Sequence, residues 1–267
     1  ASLRVSTACA WFVGDGQLYR FDLRTGLPAT VAFSPPAGEM LLPEIAASAN
    51  AARVAVVTED GVGLRTLHMV DATGSRALDQ GEIDTPRYDL PIGPCLALSP
   101  EGDLVAYRRA VITTELFVRR TDSATPAEQI TADAVFTDTI DDVGVIGFAG
   151  AALLFLAGEF TPGETQIDSA DLFRATFTGG TTTLENLSLT SGQSAPPFLQ
   201  AGNLDVKVAY DDPTAGRRLL IIDPSGSDAA LAAVDMATGN LEVLVGDLAA
   251  DPTLIRVADH VAVLYTS

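Results

Sequence analysis

Apolar residues along this chain fall into short runs, each cut off by a cluster of turn formers. Cys95-Leu-Ala-Leu98 gives way to Ser99-Pro-Glu-Gly-Asp103, then Leu104-Val-Ala-Tyr-Arg108, then Leu116-Phe-Val-Arg-Arg120. The same cadence groups Ile45–Ser48, Arg53–Thr58 and Leu64–Val70, then Val145–Phe148, Ala152–Leu156 and Asp171–Phe177. Val206–Tyr210, Arg218–Ile222 and Ala229–Asp235 make a further set. Val, Leu and aromatic runs bounded by Gly, Pro, Asp and Asn predict strands, and turn signals this closely spaced predict an all-β chain. Helical periodicity is nearly absent. Ala46–Ala52 is alanine-rich but too short for a stable helix.

One phrase recurs. Leu18-Tyr-Arg-Phe-Asp22-Leu-Arg-Thr-Gly26 returns as Leu67-His-Met-Val-Asp71-Ala-Thr-Gly74 and as Leu231-Ala-Ala-Val-Asp235-Met-Ala-Thr-Gly239. Degraded copies begin at Leu116 and Leu172, so the steps between leading leucines are 49, 49, 56 and 59 residues. Self-similarity on this scale, in units of about 40–50 residues with several strands each, is the signature of a β-propeller rather than a sandwich. In each copy a strand runs into a tight turn. The Asp side chain bonds backbone amides ahead of it and Gly supplies positive φ, so Asp22, Asp71 and Asp235 are expected turn formers.

On these residues the chain resembles the TolB-like and WD40-like propeller repeats. Ala97-Leu-Ser-Pro-Glu-Gly-Asp-Leu-Val-Ala-Tyr107 is similar to their strand-turn-strand phrase, and Leu18–Gly26 to their strand-Asp-turn-Gly phrase. In the copy at 45–74 the first phrase decays to Ala47-Ser-Ala-Asn-Ala-Ala-Arg-Val-Ala55. The resemblance implies a fold and no particular activity.

The repeats run from end to end, so the expectation is a single propeller domain over 1–267 with six blades. Five blades is the alternative, and an open piece of a longer chain the third. After the last full copy come Leu254-Ile-Arg-Val257 and His260–Thr266, two inner-type strands. Residues 2–7 are expected to complete that blade by pairing of the N- and C-terminal strands, which would remove an exposed sheet edge.

Charge narrows the partners. Sixteen basic residues, of which Lys207 alone is a lysine, face thirty-five acidic ones for a net of −19. Such a chain repels phosphate backbones and anionic membrane surfaces, so nucleic acid is excluded as a partner class. A basic partner or a divalent cation suits the charge. No apolar run reaches the length of a membrane-spanning helix. Cys9 and Cys95 belong to no Cys-x-x-Cys pair and are expected as buried thiols. The chain opens Ala1-Ser-Leu-Arg without methionine, from which a periplasmic or secreted protein, or an excised segment, is expected.

Candidate chemistry is thin, and the sequence assigns no catalytic, cofactor-binding or metal residue. His68 and His260 lie inside strand patterns and are expected as strand histidines. No Gly-x-Ser-x-Gly elbow and no His-Glu-x-x-His is present, and Gly61-Val-Gly63 lacks the third glycine of a dinucleotide site. The acidic pairs Glu59-Asp60, Asp141-Asp142 and Asp211-Asp212 sit beside turns and are expected as turn acids, with calcium the minor alternative. Trp11 is expected in packing. The inserts at 158–170, 188–197 and 35–43 exceed ordinary connections, and Leu41 and Leu42 are apolar for a loop. The expectation is therefore a non-enzymatic, protein-binding or scaffolding propeller that uses Leu41, Leu42 and the 158–170 insert as contacts. The alternatives are a hydrolase or lyase with an acidic, calcium-dependent site at the central channel, and a carbohydrate-binding propeller.

Overall fold

The computed structural model describes residues 3–5, 9–84, 95–110, 114–131, 142–160, 167–178, 180–187, 204–212, 217–224, 229–235, 237–248, 253–257 and 260–264. They form two compact units, one of 1–85 with 95–135 and one of 86–94 with 136–267.

In the first unit, β1 (Leu3–Val5), β2 (Cys9–Gly14), β3 (Gln17–Asp22) and β4 (Thr30–Phe33) make the first antiparallel sheet in that order. The second sheet is β5 (Glu39–Ala47), β6 (Val54–Asp60), β7 (Arg65–Asp71) and β8 (Gly74–Gly81). The third is β9 (Leu96–Leu98), β10 (Leu104–Ala110), β11 (Thr114–Arg120) and β12 (Glu128–Gln129). Each sheet is a consecutive up-and-down meander, so every pairing is local and loop-closure cost is small.

The second unit repeats the plan. Its fourth sheet is β13 (Asp142–Ala149), β14 (Ala152–Phe160), β15 (Ile167–Thr178) and β16 (Thr181–Asn186). The fifth is β17 (Leu204–Asp212), β18 (Arg217–Pro224), β19 (Ala229–Asp235) and β20 (Leu241–Leu248), and β21 (Thr253–Val257) pairs with β22 (His260–Leu264).

The N-terminal strand departs from expectation. Leu3, Arg4 and Val5 pair with Phe12, Trp11 and Ala10 of β2, so residues 3–5 complete the first sheet as its edge strand. A three-residue connection to β2 makes this hairpin far cheaper to close than a pairing across the whole chain.

Alternation explains the cores. The second sheet is buried on both faces. Val54, Val56 and Val70 point to a cluster shared with Cys9, Trp11, Leu18 and Phe33 of the first sheet. Ala55, Val57, Leu67 and Met69 point the other way, to Leu96, Leu98, Val105 and Tyr107 of the third. A strand buried on both sides reads as a continuous apolar run, which is what Val54-Ala-Val-Val57 is. In the second unit Phe155 and Phe173 stack at 5.4 Å across β14 and β15.

The repeated turn has the expected chemistry. Asp22 Oδ1 accepts from the amides of Arg24 (2.8 Å) and Thr25 (3.3 Å), Asp71 Oδ1 from that of Thr73 (2.8 Å), and Asp235 Oδ1 from those of Ala237 (3.0 Å) and Thr238 (2.8 Å). The decayed phrase at 47–55 keeps its geometry too. Ser48 Oγ accepts the Arg53 amide at 3.1 Å, as Ser99 Oγ accepts the Leu104 amide at 2.9 Å. Where the third sheet has Gly102 at φ +75°, the second has Ala51 at φ +51°. Ala51 is itself buried while holding that left-handed conformation, and its carbonyl accepts the Trp11 indole N–H at 2.9 Å. Trp11 is thus a packing residue that also ties the first sheet to the second.

Candidate functional site

Strand β5 organises the polar chemistry of the first unit. Leu41 opposes Thr58, yet Ile45 opposes Val56, so Leu42, Pro43 and Glu44 face a single residue of β6 across a bulge. The bulge accommodates Pro43, which has no N–H to give a ladder. It also aims Glu44 at the third sheet, where its Oε1 accepts the amides of Cys95 (2.9 Å) and Leu96 (3.1 Å). A carboxylate of β5 therefore holds the start of β9 in the neighbouring sheet.

On the other side of β5 lies a buried relay. Thr58 Oγ1 is 2.5 Å from Glu39 Oε2 and 2.9 Å from His68 Nε2. The one hydroxyl proton of Thr58 goes to the carboxylate, so its lone pair accepts from His68 Nε2–H, which assigns the tautomer. His68 is buried and tilted against Phe33 at 5.2 Å. Burial lowers its pKa below the ordinary 6.5, opposed by the Glu39 charge. Thr58 has no exposed surface, so the relay satisfies polar groups inside the interface between the first and second sheets.

Three more polar clusters join the second and third sheets. The buried Arg108 guanidinium pairs with buried Asp84. Tyr107 donates to Asp79, which also takes Arg109 Nη2 at 2.6 Å, and the Arg109 guanidinium lies 4.9 Å from the Phe117 ring centre. Desolvation and the Asp79 bond push the Tyr107 phenol far above its ordinary value of 10.0. At the opposite strand ends, Asp122 takes Arg53 Nη1 at 2.9 Å and Arg76 Nη2 at 2.7 Å. Arg53 Nη1 also reaches Gly102 O at 3.0 Å, making an ionic clasp across the two sheets.

Several expected site residues lie elsewhere than foreseen. Leu41 and Leu42 are not loop contacts. Both are buried in β5, and because neighbours in a strand face opposite ways, Leu41 enters the core with the first sheet and Leu42 the core with the third. Met40 beside them is 56% exposed. The 158–170 insert is in large part a hairpin extension, with Gly158 opposite Ala170, Glu159 opposite Ser169 and Phe160 opposite Ile167. Residues 161–166 and the 188–197 insert lie outside the described residues. So do the side chains of His260, Asp141, Asp142, Asp211 and Asp212.

Of the acidic pairs, Glu59 is bonded to Arg65 at 2.7 Å, and Asp60 Oδ1 accepts the amides of Val62 (3.0 Å) and Leu64 (2.8 Å). Cys9 and Cys95 are both buried, Cys9 in the first sheet and Cys95 beside β9 of the third. Among the described residues no three His, Cys, Asp or Glu side chains converge as a metal-binding group, and no helix is long and apolar enough to cross a membrane. Glu39 and Glu44 carried no sequence signal, because their partners are 19 and 51 positions away or more.

Four-stranded antiparallel meanders repeated along the chain define a β-propeller class of protein. No protein-family model matches the chain, and no curated protein does. Solved structures match it well. The chain is similar to TolB from Acinetobacter baumannii at 15% identity, with 92% of this chain and 54% of that one covered and a TM-score of 0.54. It is also similar to oligogalacturonate lyase from Vibrio parahaemolyticus at 11% identity, covering 90% of this chain and 62% of that one with a TM-score of 0.54. Prolyl oligopeptidase B from Galerina marginata matches at 9% identity, over 96% of this chain and 38% of that one, with a TM-score of 0.57. The chain thus spans about half the length of that TolB. At such identities the likeness establishes the fold, which is that of the TolB-like β-propellers.

Proposed function

We propose that this chain is a protein-binding or scaffolding propeller module that works outside the cytoplasm. The five four-stranded sheets and the β21–β22 pair would then count as six blades. The observation that carries the reading is the fold itself, shared over nearly the whole of this chain with TolB. The disposition of polar groups agrees with it. His68 and Arg108 are closed inside sheet interfaces, whereas Leu23, Leu27, Val62 and Leu64 stand exposed in connections between strands. The net charge of −19 favours a basic partner. The decisive experiment is affinity purification of the full chain from its own source, with stoichiometry read by mass spectrometry and cell fractions assayed in parallel. A stoichiometric protein companion in the extracytoplasmic fraction is expected. Its consistent absence would refute the reading.

A second reading, a lyase or hydrolase with an acidic, calcium-dependent site, is favoured by the fold shared with oligogalacturonate lyase. Thermal melting in EDTA against added calcium separates the two. The binding-module reading expects no shift, and a rise of several degrees with calcium would favour the enzyme.

A further inference from the structure

We propose that the Glu39–Thr58–His68 cluster is a pH-sensitive latch: when His68 takes up a proton, strand β4 comes away from the second sheet. This goes beyond the protein-binding reading and does not depend on it.

β4 is lightly held. It is an edge strand of the first sheet, paired with β3 at Leu18–Phe33, Tyr19–Val31 and Arg20–Thr30, with a break in register after the first pair. Phe33 is its one buried residue and belongs to the core shared with the second sheet. The Phe33 ring centre lies 5.2 Å from that of His68. The buried end of β4 therefore rests on the imidazole.

The site suits the neutral ring. His68 Nε2–H goes to Thr58, and the Thr58 hydroxyl proton goes to Glu39. A second proton would sit on Nδ1, deep in an apolar interface. Val56 of β6 and Ala77 of β8 flank His68 across the sheet. Glu39 of β5 is the charge that acts on the ring, and its pull is smaller than the cost of desolvation. The other titratable groups turned toward this interface are engaged elsewhere. Asp60, opposite Glu39, binds the amides of its own turn. On the first sheet Arg20 Nε donates to Cys9 Sγ at 3.1 Å, and Asp22 binds the Arg24 amide. A charged imidazole is thus better solvated in water, and it reaches water by displacing Phe33. Opening of this kind is local, because the core between the second and third sheets has no part in it.

The sign of the effect follows from linkage. In the open form the ring has its ordinary pKa of 6.5, and in the closed form a lower one. The open population is therefore constant above 6.5 and grows as pH falls from there toward the closed-form value. At pH 5.0 this growth is bounded at about thirtyfold, the protonation ratio of a group that titrates at 6.5.

Hydrogen exchange of the full chain, corrected for the intrinsic pH dependence of amide exchange, tests the latch, with β4 as the reporter and β10 as the reference. Between pH 7.5 and 5.0 the protection of β4 is expected to fall at least threefold, and that of β10 less than twofold. His68→Gln keeps a side-chain N–H for Thr58 without a titratable ring, and should hold β4 protection constant to within twofold. Glu39→Gln removes the charge that favours the closed imidazolium, so β4 protection at pH 5.0 should fall further than in wild type. A fall in β4 below threefold, a β10 loss equal to that of β4, the wild-type fall retained in His68→Gln, or a smaller fall in Glu39→Gln overturns the proposal. The wild-type comparison of β4 with β10 requires no variant to fold.

Discussion

Met40, Leu41 and Leu42 are consecutive, yet they occupy three environments, and their truncation should separate them sharply. Leu41 lies in the core with the first sheet, Leu42 in the core with the third, and Met40 is 56% exposed. Leu→Ala removes three carbons, about 2.4 kcal/mol at ~0.8 kcal/mol per buried CH₂. The cavity left in a sandwiched sheet raises this into the range of ~2–5 kcal/mol. Met40→Ala should cost less than ~0.5 kcal/mol, as surface changes do. Urea unfolding followed by the emission of Trp11 is the assay, since Trp11 is the only tryptophan and shares its buried cluster with Leu41. Leu41→Ala and Leu42→Ala should both shift the midpoint strongly. A Leu41→Ala midpoint indistinguishable from that of Met40→Ala would refute the two-core reading of β5.

Other expectations follow from single features. Gly102→Ala should destabilise by ~1–3 kcal/mol, since its Cβ would meet Arg53 Cδ at 2.7 Å, whereas Ala51→Gly should stay within ~1 kcal/mol of wild type, because relief of the left-handed alanine is offset by the loss of a buried methyl; a Gly102→Ala melting temperature at or above wild type would contradict this. Asp122→Ala opens the clasp to Arg53 and Arg76, but at 56% side-chain exposure each pair is worth under ~1 kcal/mol, and a double-mutant cycle with Arg53→Ala should show the coupling fade in high salt. His68 has its folded pKa lowered below 6.5 by burial, so the unfolded chain takes up the proton first. Its contribution to stability is therefore complete above that ordinary value and is lost as pH falls from there toward the folded pKa. His68→Gln should flatten that part of the melting-temperature profile, and an unchanged profile would dismiss the linkage.

The strands and their meander order were legible because period-two alternation and the Asp-turn-Gly phrase are local properties. Ser99–Asp103 and Asp22–Gly26 fold by contacts within a few residues, so their letters suffice. The decayed copy at 47–53 shows the limit. Ser48 preserves the turn, but Ala51 adopts positive φ only because the tertiary structure holds it there. Leu41 and Leu42 were misread for the same reason. Pro35 and Pro43 punctuate the segment like a loop, and the bulge that absorbs Pro43 is visible only in the register with β6. The Glu39–Thr58–His68 relay and the Glu44 link were beyond reach, since each joins side chains from different strands or different sheets.

The two surplus residues in β5 carry a further implication for how this segment tolerates change in length. Removing one residue between Leu42 and Ile45 would reverse the facing of everything on one side of the gap, sending leucines toward the wrong neighbour. Removing two would restore an ordinary ladder but swing Glu44 away from the amides of Cys95 and Leu96. Viable insertions and deletions in this chain should accordingly avoid positions 42–44, whatever the freedom of the hairpin tips around them.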